Sequence, residues 1–195
     1  MTKTNLSTQT SLRILIPLIL ILAAVAIFLN RIKIQANTHG QTKTTAITVL
    51  TATLLGIYLL IYIYLTFGYR LPVKTARISL TPFWSYRDAF RLNPLSIRRL
   101  GLARQILLNI LLTVPAGLLL PILFSRMKHP YLLAILTVLA LSLLTETFQY
   151  LTRLGMCETD DVINNMLGGL LGMGVLRLGS ISRNRITNDK QHAHQ

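Results

Sequence analysis

From Ala46 to Phe67 the chain runs for 22 residues without a charge. At about 1.5 Å of rise per residue, a helix of that length covers the roughly 30 Å hydrocarbon core of a bilayer. A backbone in that core must satisfy its own polar groups, so a helix is the structure open to such a run. Tyr58, Tyr62, Tyr64, Phe67 and Tyr69 crowd its second half, which reads as an aromatic belt where a span meets the headgroups.

Other apolar runs fall into place around this one. Ile14–Leu29 follows Lys3 and Arg13, and its length suits a short membrane helix or the apolar core of a signal peptide. Its small-x-small pair, Ala24 and Ala26, sits inside the run and not after it, so an uncleaved first helix is expected. Gln105–Ser125 is a third run, interrupted by Pro115, Gly117 and Pro121, with a kink expected near Pro115. Tyr131–Thr152 and Val162–Leu176 are the fourth and fifth, the last diluted by Asn164 and Asn165. The fold expected is all-α: a polytopic transmembrane bundle of about five helices in the cell membrane. Residues 1–45 would hold the first helix and a polar connection, 46–178 the main membrane domain, and 179–195 a basic disordered tail.

Composition agrees. Only 13% of the 195 residues are charged, against about 25% in a soluble domain, and the mean hydropathy is +0.53. The net charge of +14 comes from 20 Lys and Arg against 6 acidic residues. These positives sit in the gaps between apolar runs, the pattern of residues that meet headgroups, and nucleic acid is excluded as a partner. Cys157 is the single cysteine, so neither an intrachain disulfide nor a cysteine-based zinc site can form. His39, His129, His192 and His194 lie in gaps or the tail. No metal or other cofactor is expected.

The polar groups that remain are concentrated in a hairpin, TETFQYLTRLGMCETDDVINNMLGGLLG, from Thr145 to Gly172. Glu146, Gln149 and Arg153 stand at i, i+3 and i+7, on one stripe of the fourth helix. A tight turn at Leu154–Thr159 leads to Asp160, Asp161, Asn164 and Asn165, where Asp161 and Asn165 are one turn apart, as are Asp160 and Asn164. Gly168 and Gly172 give the small-xxx-small spacing that lets helices approach closely. A second unusual stretch, SLTPFWSYRDAF at Ser79–Phe90, lies in the long basic connection before the third helix. Pro82 should bar a regular helix there, and Phe83, Trp84 and Tyr86 suit either a binding element or a segment resting on the bilayer surface.

Counting crossings places these groups together. The fourth helix ends and the fifth begins on one membrane side, and the third helix, with Asn109 near its start, begins there too. The aromatic connection shares that side. The expected cluster is Glu146 and Asp161 with Arg153 as counter-charge, Asn109, Gln149 and Asn165 as hydrogen-bonding partners, and Trp84 beside them. Asp160 could join it or cap a helix. Asparagines can be simple interhelical glue, but three ionisable groups beside lipid-length runs cost more than a fold requires, which points to function.

The elements LTPFWSY at Leu80–Tyr86, NILLTVPAGLLLP at Asn109–Pro121, ETFQ at Glu146–Gln149, Arg153, and DDVINNMLGGLLG at Asp160–Gly172 together resemble the VanZ-like family, small membrane proteins named after a teicoplanin-resistance protein. Asn109, Glu146, Gln149, Arg153, Asp161, Asn165 and Gly168 match its characteristic positions, while Thr113 and Val114 stand where a Phe is common. The similar region covers residues 46–178, with the first helix outside it. The resemblance implies a multi-pass membrane protein linked to reduced susceptibility to glycopeptide or lipoglycopeptide antibiotics. It supplies no reaction.

Three functions are compatible with these features. The first is a non-enzymatic protein whose polar pocket binds a lipid-linked envelope precursor or the glycopeptide drug. The second is an intramembrane enzyme using Mg²⁺ held by Asp160, Asp161, Glu146 and asparagine oxygens on a lipid phosphate. Against it stands the absence of a P-loop or nucleophile elbow. The third is a small-molecule transporter, which without an internal repeat would need a homo-oligomer.

Overall fold

The computed structural model describes residues 22, 25–29, 32, 41–68, 75, 77–91 and 96–192, with side chains at 41–44 and 180–192 excepted. Four long helices carry the architecture: α1 (Gln41–Phe67), α3 (Ile97–Leu123), α4 (Pro130–Thr152) and α5 (Thr159–His192). A short helix α2 (Trp84–Arg91) precedes α3, and two three-residue strands, β1 (Arg77–Ser79) and β2 (Met156–Glu158), complete the order. Each long helix holds a stretch long and apolar enough to cross a membrane: Thr45–Phe67, Ile97–Leu123, Pro130–Thr152 and Thr159–Gly179. The chain is an all-α membrane bundle. Of the first apolar run, Ile14–Leu29, only residues 22 and 25–29 are described, and they are helical; the rest of that expected helix lies outside the described residues.

Local chemistry sets the helix ends. Ser96 caps α3, its hydroxyl accepting from Arg99 N at 3.3 Å, which satisfies one of the orphan donors of the first turn. α4 opens on Pro130, where a missing N–H costs nothing, and ends at Arg153 in the left-handed conformation (φ 59°). α3 continues through Pro115 and Pro121. Pro115 removes the donor for Leu111 O one turn back, and Tyr58 of α1 donates its hydroxyl to the next carbonyl, Leu112 O, at 2.8 Å.

The core is a seam of small residues between α3 and α5. A Cβ placed on Gly117 would lie 2.0 Å from Gly169 O, one on Gly168 2.0 Å from Ile110 O, and one on Gly172 2.2 Å from Val114 O. Backbone therefore touches backbone, as the glycine spacing requires. Around this seam, Tyr58, Tyr62, Ala116, Leu120, Ala134, Val138 and Met173 form one buried cluster across α1, α3, α4 and α5. Ala26 joins Val114, Leu118, Leu119, Ile122 and Leu176 in another.

Four expectations need correction. Tyr58 and Tyr62 are not belt residues: they are buried, and Tyr62 Oη lies 2.9 Å from Thr145 Oγ1 of α4. Spaced i, i+4, they share the inward stripe of α1, while Tyr64 on the other side is exposed. The tight turn after α4 contains strand β2, which pairs in parallel with β1 in the register Arg77–Met156, Ile78–Cys157 and Ser79–Glu158. Pro82 does not bar a helix in its segment. It stands two residues before α2, outside the hydrogen-bonded ladder that a proline would break. Finally, α5 does not stop near Leu176 but continues to His192; after Gly179 the sequence holds neither proline nor glycine to end it.

Candidate functional site

The strand pair and α2 close the end of the bundle where α4 stops and α3 and α5 start. Two groups of polar side chains are built there, one under α2 and one between α3, α4 and β2.

The first centres on Asp160. It sits in the first turn of α5 and is fully buried, yet it does not cap its own helix. Its Oδ1 accepts from Phe83 N at 2.5 Å, and its Oδ2 from Ser85 N at 2.8 Å and Ser85 Oγ at 2.5 Å. A carboxylate from a distant helix thus occupies the place of an N-cap for α2, where unpaired N–H groups and the positive end of the helix dipole favour an anion. Phe83 reaches this position with φ at 60°, a conformation disfavoured for a bulky residue and held here by the bond to Asp160. One turn on, the Tyr86 hydroxyl donates to the buried Asn164 Oδ1. Burial, and then the Asp160 charge, push the Tyr86 phenol above its ordinary value, which keeps it a neutral donor.

The second group contains Glu146, Glu158 and Asp161, all buried. Glu146 Oε2 accepts from Glu158 N at 2.9 Å, fastening β2 to α4. Gln105 of α3 points its Nε2 at Glu158 Oε2 (3.4 Å) and at Asp161 Oδ1 and Oδ2 (3.2 and 3.4 Å). Gln149 is buried one turn beyond Glu146, and its carbonyl accepts from Leu154 N at 3.0 Å. One turn deeper, Asn165 Nδ2 donates to Ser142 Oγ of α4 at 2.9 Å, and Thr113 Oγ1 lies 2.7 Å from Asn165 O and 3.3 Å from Asn109 O. Asn109 Nδ2 and Asn165 Oδ1 are enclosed without a hydrogen-bond partner. Buried polar atoms are satisfied in most structures, so an idle donor and an idle acceptor in one layer call for an explanation.

Of the residues singled out in the sequence, Glu146, Gln149, Asp161, Asn165 and Asn109 come together between α3, α4 and α5. Asp160 and Trp84 belong to the α2 side, and the Trp84 indole Nε1 is buried without a partner. Gly168 and Gly172 lie in the helix seam. Arg153 is the exception. The i, i+7 stripe assumed that the helix extends to it, but α4 ends at Thr152 and the left-handed turn at Arg153 carries its exposed side chain off that stripe. It is not the buried counter-charge. Arg104, next to Gln105 in the sequence of α3, has its Nε shielded from solvent. Gln105, Glu158 and Ser142 were missed by sequence reasoning. Glu158 carried a visible signal, being an acidic residue two positions before Asp160, whereas Gln105 and Ser142 are legible only from three-dimensional neighbours. For Mg²⁺ binding, Asp160 already uses both oxygens on α2. Among the described residues no three His, Cys, Asp or Glu side chains are grouped to hold a metal ion.

Cys157, on β2, reports on this group. Burial, and then Glu146, Asp161 and Glu158, push its thiol above the ordinary value of 9.0, because each disfavours the thiolate. Its alkylation by maleimide in detergent should therefore be slower at neutral pH than that of free cysteine and still rising as the pH passes 9.0. Glu158→Gln removes one of the charges and should speed it. A rate equal to that of free cysteine, unmoved by the substitution, would contradict this electrostatic picture.

Comparison with known proteins agrees with this arrangement of motifs. Among curated proteins, Protein VanZ of Enterococcus faecium is 29% identical over 142 residues, which is 73% of this chain and 83% of that protein. No solved structure matches. The family model described as VanZ/LLP1 matches residues 15–180, so the matched region takes in the first apolar run that the motif comparison left outside. With the match covering every element that builds the two polar groups, the chain belongs to the VanZ/LLP1 family.

Proposed function

We propose that this protein is a non-enzymatic, multi-pass cell-membrane protein that binds a lipid-linked or other cell-envelope molecule, or a glycopeptide drug, through the polar group between α3, α4 and β2, and so lowers susceptibility to teicoplanin-type antibiotics. One observation carries the reading. Glu146, Glu158 and Asp161 are all buried beside membrane-spanning helices, an arrangement expensive enough that function is its usual reason. The idle Asn109 donor and Asn165 acceptor support it, since a bound hydroxyl or amide could satisfy both. Family membership adds the link to glycopeptides.

The test is expression of the chain, and of Glu146→Gln and Asp161→Asn, in a glycopeptide-susceptible bacterium at matched membrane abundance. The parent should raise the teicoplanin concentration needed to inhibit growth, and each variant should lose most of that effect. Removing one member of a buried hydrogen-bonded charge group costs roughly tenfold or more in affinity. A parent without effect, or variants indistinguishable from it, would remove the proposal.

A further inference from the structure

The exposed side of α2 is independent of that polar group and has a composition of its own. Arg87, Phe90 and Arg91 stand at i, i+3 and i+4 and therefore share one stripe of α2, and Phe83 immediately precedes the helix in the left-handed conformation. Phe83 is 54% and Phe90 80% exposed, and Arg87 and Arg91 are exposed beside them. The helix is tied down by its other bonds: Ser85 is buried against Asp160, and Tyr86, whose ring meets that of Phe83 at 6.0 Å, bonds to Asn164. The Phe–Arg stripe is thus held outward by fixed bonds and is not a helix free to roll. The patch continues into α3, where Ile97 is 82% and Leu100 59% exposed. It lies at the start of α3, one of the helices long and apolar enough to cross a membrane. Asp88, the acidic residue of α2, is occupied by Arg98 at 2.8 Å, so it does not neutralise Arg87 or Arg91.

We propose that this face of α2 docks on the bilayer itself and selects anionic phospholipids, with Phe83 and Phe90 entering the acyl boundary and Arg87 and Arg91 binding headgroup phosphates. Charge complementarity argues for that occupant. Two arginines alternating with two phenylalanines match a surface that is apolar a few ångströms below a plane of negative charge. A protein partner would be expected to cover the aromatics without needing the two exposed guanidinium groups. Continuity argues for it too, because exposed Ile97 and Leu100 belong to α3, a helix long and apolar enough to cross a membrane.

Trp84, the single tryptophan, lies in α2 and makes the docking directly measurable. The full chain is reconstituted into phosphatidylcholine nanodiscs containing phosphatidylglycerol, with the acyl-chain bromine label on one lipid or the other at equal mole fraction. Brominated phosphatidylglycerol should quench Trp84 more strongly than brominated phosphatidylcholine. That preference should fall by roughly fivefold per arginine removed in R87Q and R91Q. High salt, which shortens the Debye length from about 10 Å to about 3 Å, should weaken it in the unmutated chain, a check that does not depend on any variant folding. Equal quenching by the two lipids would overturn the proposal. So would a preference indifferent to salt and to both substitutions, or absence of quenching by either lipid. None of these results bears on the polar group between α3 and α4.

Discussion

Gly168→Ala should cost the protein at least about 3 kcal/mol, the upper end of what overpacking usually costs, and should abolish the compact bundle in detergent. The added methyl would stand 2.0 Å from Ile110 O and 2.2 Å from Thr113 Oγ1. Neither can yield cheaply, since one is helix backbone and the other already bonds Asn165 O. Relief requires α3 and α5 to separate, which would break the layer that holds Asn109 and Asn165. Gly117→Ala should behave alike, because its methyl would meet Gly169 O at 2.0 Å. Gly56 and Gly174 supply the control. They have open space where a Cβ would go, so alanine there should be neutral or stabilise by up to about 1 kcal/mol, from the lower entropy cost of an alanine in a helix. Thermal unfolding of the four variants, followed by size-exclusion chromatography in one detergent, checks the contrast. Equal melting temperatures across them would mean the close approach is not what holds the bundle together.

Asp160→Ala should be comparably damaging but more local. The buried Ser85 backbone N–H would lose its acceptor, at about 1–3 kcal/mol, and the part-buried, left-handed Phe83 would lose the bond that holds it. α2 should detach while the long helices stay packed. Trp84 emission should shift to the red and become open to aqueous quenchers, with helix content nearly unchanged. Asp161→Asn should leave the Trp84 spectrum in place, since its carboxylate accepts from Gln105 of α3. Asp160→Asn keeps one acceptor oxygen and should fall between. An unmoved Trp84 spectrum in Asp160→Ala would show that the carboxylate does not anchor α2. The neighbouring aspartates thus have separable roles: one holds the aromatic helix, the other belongs to the buried polar group.

Much of this architecture was written in the chain as periodicity and length. The uncharged runs announced the spanning helices, and the glycines at 168 and 172 announced the close packing partner. Counting of crossings put Glu146, Asp161 and the aromatic connection at one end, whereas Asn109, expected near the start of its helix, stands twelve residues beyond Ile97, near the middle of α3. These features are legible because hydrocarbon imposes the same demand on every residue of a span, so the pattern repeats along the sequence and needs no knowledge of neighbours.

What the tertiary structure decided were the pairings. No local pattern tells that Asp160 caps a helix more than seventy residues earlier, or that Gln105 reaches Glu158 and Asp161; such contacts depend on how α2, α3 and β2 dock, and their sequence separation hides them. Arg153 shows the same limit from the other side: its spacing was right for a helical stripe, but the helix ended one residue too soon, and a single left-handed residue sent its side chain elsewhere. Tyr58 and Tyr62 read as interfacial by composition, yet packing against α3 and α4 placed them inside. The sequence by itself determined which segments are long and apolar enough to cross a membrane, because that depends on transfer from water to lipid, residue by residue. Which polar groups meet there depended on the docking of helices against one another, a property of pairs of surfaces that no single segment contains.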